Sequence, residues 1–151
     1  MRLSAKADYA LRASLELATA GEGHVKAEAL ARAQDIPLRF LEQILLDLKH
    51  AGLVASQRGA EGGYWLAKPP GDISLADVIR AVEGPLANVR GMSPDLLEYE
   101  GSAERLRDVW VALRASVRAV LEQVTLADVA KGELPPHVTE LTQATDAWLR
   151  R

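Results

Sequence analysis

Apolar residues recur at three- and four-residue steps through the first third of the chain, which is the spacing of one face of a helix. Leu3, Ala7, Ala10, Leu11, Leu15 and Ala18 keep it over residues 3–18, with Ser4 as N-cap and Gly21-Glu22-Gly23 as the stop. An alanine-rich stretch over 26–34 predicts a second, short helix. Asp35-Ile36-Pro37 ends it, because the residue before a proline is pushed out of the α region. Proline suits the first turn of a new helix, so a third is predicted over 37–50, with Phe40, Leu41, Ile44, Leu45 and Leu48 on one side and Ala51-Gly52 as its close. Two β-prone runs follow, 53–56 and 63–67, joined by a flexible, glycine-rich hairpin loop.

Lys68-Pro69-Pro70-Gly71 reads as a rigid linker, and Ser74-Leu75-Ala76-Asp77 as a capping box opening a helix to about residue 83. Residues 84–101 hold two prolines and three glycines and read as loop with at most one helical turn. A long helix is predicted over 102–124, about 34 Å at 1.5 Å per residue. Leu106, Trp110, Leu113, Val117, Val120 and Val124 alternate steps of four and three along it, the a/d seam of a coiled coil. Val109, Ala112, Ala119 and Leu121 widen that seam. Either the helix faces both its own domain and a second copy, giving a homodimer, or it is one wide buried helix. Thr125 and Asp128 mark a further short helix, and Leu141, Ala144 and Trp148 a last amphipathic one over 138–151. Three units result: 1–84, a loop over 85–101, and a dimerisation helix with its tail over 102–151.

Composition excludes several classes of function. There is no cysteine, hence no disulfide, thiolate metal site or cysteine nucleophile. No apolar run approaches the roughly 20 residues that cross a bilayer, and residues 1–6 lack the pattern of a secretory leader, so a cytoplasmic protein without membrane contact is expected. His24, His50 and His137 are scattered and read as solvated, or, for His50, as meeting the last carbonyls of its helix. No nucleophile elbow or phosphate loop occurs, and catalysis is not expected. Net charge is −3, but residues 1–68 balance to +1 and residues 69–151 to −4, which leaves room for a basic face on the first half.

Helix, helix, break, helix and a glycine-tipped hairpin, in that order, outline a winged helix-turn-helix in a mainly α fold. In that arrangement the helix after the break enters the major groove of double-stranded DNA. Its leading face carries Leu38, Arg39, Glu42 and Gln43, with Asp47 and Lys49 further along. Arginine matches guanine O6 and N7, and glutamine matches adenine N6 and N7. Glu42 either accepts from cytosine or orients Arg39 through a salt bridge. Arg58, beside Gly59, Gly62 and Gly63, suits a narrow minor groove, where the negative potential is enhanced. Glu61 at the same tip is unexplained. The competing reading is a winged-helix module that no longer binds DNA and serves protein interaction instead.

Ser4-Ala5-Lys6, Tyr9 to Arg12, Ile36-Pro37, Phe40 to Leu45, Ala51 to Val54, Arg58-Gly59, Gly62 to Tyr64 and Ile73 to Gly84 together resemble the Rrf-two (Rrf2) family of bacterial winged-helix regulators. The match is dense over 3–84 and weaker through the long helix. The resemblance implies a homodimer binding an inverted-repeat operator, with base reading by Leu38, Arg39 and Gln43 and a minor-groove Arg58. It places phosphate contacts on Ser4, Lys6, Gly59, Gly62 and Gly63, and Lys26 stands where a helix-capping Ser or Thr is common, within reach of a phosphate. Cluster-binding relatives carry three cysteines in the loop matching 84–101. With neither Cys nor His there, no iron–sulfur cofactor is expected. Asp8, where some relatives offer a carboxylate ligand, reads as a surface charge. The effector is left open between a small molecule, a protein partner and none.

Overall fold

The computed structural model describes residues 2–150, with Met1 and Arg151 (the end of the helix expected over 138–151) outside them. The elements are α1 (Ala5–Thr19), α2 (Ala27–Gln34), α3 (Leu38–His50), β1 (Val54–Gln57), β2 (Gly63–Leu66), α4 (Leu75–Glu83), α5 (Leu106–Leu121), α6 (Leu126–Lys131) and α7 (Pro136–Gln143). Single 3-10 turns sit at Pro70–Asp72, Pro94–Leu96 and Gly101–Ala103. The fold is mainly α: a winged helix-turn-helix whose wing is a two-stranded antiparallel sheet, followed by α5.

Helix starts follow local chemistry. The Ser4 hydroxyl accepts from the Ala7 N–H at 3.0 Å. Ser74 and Thr125 open α4 and α6 with reciprocal capping boxes, in which Asp77 and Asp128 accept the cap N–H at 2.9 and 2.8 Å. Lys26 starts α2 with no side-chain cap. Pro37 caps α3 rather than forming its first turn, and Asp35 turns the chain between α2 and α3 in the left-handed region, at φ 50. Arg12 reinforces that corner by donating to the Gln34 carbonyl at 2.7 Å, while pairing with Asp8 on its own helix.

At the centre stands α1, packed against α2, α3, α4, α6 and β2, with Ala7, Ala10, Ala13 and Leu17 buried. Across from it, α3 turns in Leu41, Ile44, Leu45 and Leu48, each worth roughly 1.5–3 kcal/mol on burial. Phe40, expected on that stripe, is 62% exposed. It lies one step outside the stripe's arc.

Past the wing the chain departs further from expectation. The long helix is 16 residues rather than 23, running over Leu106–Leu121, or about 24 Å. Its expected first turn, Ser102 to Arg105, offers almost nothing apolar to bury, and its end is pulled away by the core. Val124 is only 2% exposed within its own chain, so it is not available to a partner. Its carbonyl accepts from the Leu75 N–H, and the Leu126 N–H donates to Ile73, both at 2.9 Å. This stitch lays the starts of α4 and α6 side by side and sinks Leu126 into the main core. Residues 124–131 therefore pack into the first unit rather than with α5. The helix expected over 138–151 stops at Gln143. Beyond it Trp148 folds back, donating its indole N–H to the Thr142 carbonyl at 2.6 Å while staying 80% exposed.

The wing is braced by residues 24–26. β1 pairs with β2 from Val54↔Leu66 to Gln57↔Gly63. Residues 24–26 then lie along its outer side as a strand of one bridge. Val25 and Tyr64 exchange backbone hydrogen bonds of 2.9 and 2.8 Å, His24 stacks on Trp65 at 4.2 Å, and the Lys26 ammonium donates to the Gly59 carbonyl at 2.5 Å. His24 Nδ1 faces the Glu61 carbonyl at 3.1 Å, so that nitrogen carries the proton. His24 is exposed, as expected, and also braces the wing through these two contacts. Gly63, at φ +146, leaves no room for a side chain: a Cβ there would stand 2.9 Å from the Val25 backbone. Gly63→Ala is expected to destabilise the fold by about 2 kcal/mol or more, read as a lowered urea midpoint. An unchanged midpoint would show that the Val25 bridge can yield.

Candidate nucleic-acid interface

With one arc of α3 committed to the core, helical periodicity decides what faces outward. At 100° per residue, Arg39, Gln43, Leu46 and His50 run along the crest opposite the buried stripe, and all are exposed. Phe40 and Asp47 fall on one shoulder; Leu38, Glu42 and Lys49 fall on the other. Two contacts fix the shoulders in space. Lys6, at the start of α1, pairs with Asp47 at 2.7 Å, so the first shoulder faces the α1 N-terminus. Lys49 donates to Ser56 on β1 at 2.9 Å, so the second faces the wing.

Arg39 heads the crest and Arg58 leaves the end of β1, both exposed. Among the described residues neither has a hydrogen-bond or ion-pair partner. Nor does Glu42 form the salt bridge to Arg39 that was one of its two expected roles. An exposed pair of this kind gains at most about 1 kcal/mol, too little to hold two long side chains together. Gln43 is engaged from one side only, its amide nitrogen donating to Asp47 Oδ1 at 3.0 Å. Leu38, at the first turn of α3, is partly open to solvent.

The remaining expected contacts are less free. The Ser4 hydroxyl caps α1 and donates to Glu83, and Lys26 is spent on the wing carbonyl. Gly59 is exposed at the tip, whereas Gly62 and Gly63 are buried. Gly62 lies against Gln57, where a Cβ would come within 2.1 Å of the carbonyl oxygen. These two glycines close the wing, and the Gly62 N–H donates to the Gly59 carbonyl at 3.0 Å.

Asp47, which the sequence placed on this face without a role, is the residue that ties Gln43 to α1. Its carboxyl is held below the ordinary range by the Lys6 hydrogen bond, against partial burial that opposes ionisation and with help from Gln43 and the nearby positive charges. The i, i+4 spacing of Gln43 and Asp47 was the available signal. Its tie to Lys6, 41 positions away, has none.

On α5, Leu106, Trp110, Val117 and Val120 are half-buried, Leu113 is 39% exposed and no residue is fully buried. Side chains tie the preceding loop to this helix. Arg114 holds Asp95 and Ser93 at 2.6 and 2.7 Å, and the Trp110 indole donates to the Tyr99 hydroxyl at 3.1 Å. Ser93 and Arg114 bring the Asp95 carboxyl down to about 2. His137, expected to be solvated, meets the Ala119 carbonyl at 3.0 Å.

Residues 3–132 match the family model Rrf2, an iron-dependent transcriptional regulator. The chain is 56% identical over 142 residues to Rv1287 of Mycobacterium tuberculosis, provisionally assigned as an HTH-type transcriptional regulator, covering 93% of this chain and 88% of that protein. Among solved structures it is similar to CymR, the global cysteine regulator of Bacillus subtilis, at a TM-score of 0.74 and 38% identity over 87% of this chain and 98% of that one. It is also similar to IscR of T. potens, at 0.71 and 34% over 100% and 93%. The iron in the family description does not fit the residues present. The sequence has no cysteine, and among the described residues no three His, Asp or Glu side chains gather to hold a metal.

The Lys6–Asp47 pair carries a pH signature. Because Asp47 titrates lower folded than unfolded, its contribution is present above about pH 4 and is lost as pH falls through the folded value. Asp47→Asn is expected to cost up to about 1 kcal/mol at pH 7, with the gap to the unmodified protein closing toward pH 3 in urea titrations. A gap of equal size at both pH values would refute the pairing.

Proposed function

We propose that this chain, which belongs to the Rrf2 family of transcriptional regulators, is a homodimeric repressor that reads an inverted repeat. Each protomer lays α3 in the major groove and its wing in the adjacent minor groove. The family's members are transcriptional regulators that bind DNA, not enzymes. The finer reading rests on one observation above the rest. Lys6, Lys26 and Lys49 are held by their own chain, while Arg39 on the crest and Arg58 at the wing base are exposed and, among the described residues, unpartnered.

An unpartnered guanidinium at the leading end of a groove-facing helix can take guanine bidentately. One at the base of a braced wing can enter a narrow minor groove without losing its bearing. The half-exposed seam of α5, from Leu106 to Val120, supports a second copy as its cover. A two-fold dimer would set the two reading helices about 34–36 Å apart, one turn of DNA. Repression is the sign proposed because a dimer seated across a promoter blocks polymerase. We further propose that the protein acts in the cytoplasm, where its operator lies, and without a thiolate-held cluster. Its signal would then be a small molecule, a partner protein or its own abundance. No helix among the described residues is long and apolar enough to cross a membrane.

Selection from random duplexes tests the reading directly. Binding should fall steeply with salt as counterions are released, and a flat salt response would overturn it. Arg39→Ala is expected to relax base preference at one position per half-site by about 1–3 kcal/mol; an equal loss on every sequence would reduce Arg39 to a phosphate contact. Leu113→Asp, a change at a partly open position, should yield folded monomers in sedimentation. A dimer that persists would move the interface off α5.

A further inference from the structure

Asp47 spends both of its carboxylate oxygens, Oδ2 on the Lys6 ammonium and Oδ1 on the Gln43 amide. That has a consequence for what Gln43 can read. An ionised carboxylate only accepts hydrogen bonds, so the amide nitrogen of Gln43 must face it and the amide oxygen must turn away. A glutamine with a free amide can offer two kinds of edge to a base. One N–H with the oxygen suits adenine, whose N7 accepts and whose N6 donates. Two N–H groups suit guanine, whose N7 and O6 both accept. With one N–H already committed to Asp47, only the first edge remains whole.

We propose that Asp47, clamped by Lys6 across the α1–α3 contact, is a positioning residue that fixes the Gln43 amide in the orientation that reads adenine and withholds the one that reads guanine. This rests on the placement of α3 in the major groove. The clamp matters because Asp47 alone, on an exposed shoulder, would rotate with Gln43 and fix nothing. Lys6 reaches it from a different helix and ties the pair to the frame of the domain. The same ion pair cancels a carboxylate that would otherwise face the phosphates. The lysine keeps two further N–H donors, since an ammonium has three.

The test measures binding of the full-length protein to its selected operator and to duplexes in which each base pair of a half-site is varied in turn. Gln43→Ala marks the position that Gln43 reads, by abolishing the preference there. At that position the unmodified protein should favour adenine over guanine. Asp47→Ala should shrink this ratio roughly tenfold, and Asp47→Asn, which can still bond Gln43 but no longer dictates its orientation, should shrink it by less. Ratios at the Arg39 position should hold in both variants, and the thermal midpoint should fall by no more than the few degrees that loss of the Lys6 pair accounts for. Overall affinity should be kept or rise, because a negative charge leaves the interface. An adenine-to-guanine ratio unmoved in Asp47→Ala, or a fall at all positions together, would overturn the proposal. If Gln43→Ala marks no position while Arg39→Ala still relaxes one, this proposal fails and the placement of α3 stands. If neither variant alters any preference, the placement itself fails.

Discussion

Ala7, Ala10 and Ala13 put nothing larger than a methyl group between α1 and the helices that surround it, and the geometry of the interface descends from that closeness. Ala7 meets Ala76 of α4, with Ile79 and Leu86 beside it. Ala10 and Ala13 let the buried leucines of α3 approach from the other side. Interiors packed at crystalline density do not absorb added methylenes without moving a neighbour. A larger residue at Ala10 or Ala13 would push α3 outward and carry the crest of Arg39 and Gln43 with it. The N-terminus of α1 therefore helps build the reading surface twice, once through its small face and once through Lys6.

The electrostatics of that surface depend as much on carboxylates removed as on cations supplied. The chain is acidic overall and only slightly basic over its first 68 residues. Asp47 sits on α3 itself, and its charge is answered by Lys6 at hydrogen-bond distance. Asp8 is answered by Arg12 and, in the second half, Asp95 by Arg114. Near α3 and the wing, Arg39 and Arg58 face outward unengaged among the described residues, alongside the exposed carboxylates of Glu42 and Glu61.

Most of the scaffold could be read from residue order because its signals are local. Ser4, Ser74 with Asp77 and Thr125 with Asp128 each announce a helix start within four residues, and the proline and glycine breaks fall where the chain turns. The errors share one cause. Periodicity reveals that a face is apolar, but not what will cover it. Val124 continues the α5 seam perfectly in sequence, yet the core claims it through the stitch between residues 73–75 and 124–126. Phe40 borders the α3 stripe and is left uncovered. Gly62 and Gly63 look like open loop and are walled in by Gln57 and Val25. The bracing of the wing by His24, Val25 and Lys26 spans some 40 residues with no periodic mark. At the interface, Arg39, Gln43 and Arg58 were visible as residue types at suitable positions. That Asp47 restrains one of them was not, since the restraint passes through another helix.

The stitch that buries Val124 also sets the mechanics of α5. Immediately after this helix the chain is pinned to the start of α4 by paired backbone bonds, and Arg80 of α4 reaches across to Glu122 at the same end. Toward its other end, the side-chain ties of Trp110 and Arg114 join α5 to the loop before it. The helix is thus a beam rooted beside α4. A small rotation at the root grows with distance along the beam. Whatever grips the tip therefore has leverage over the angle at which α4, and the α1 face packed on it, are held.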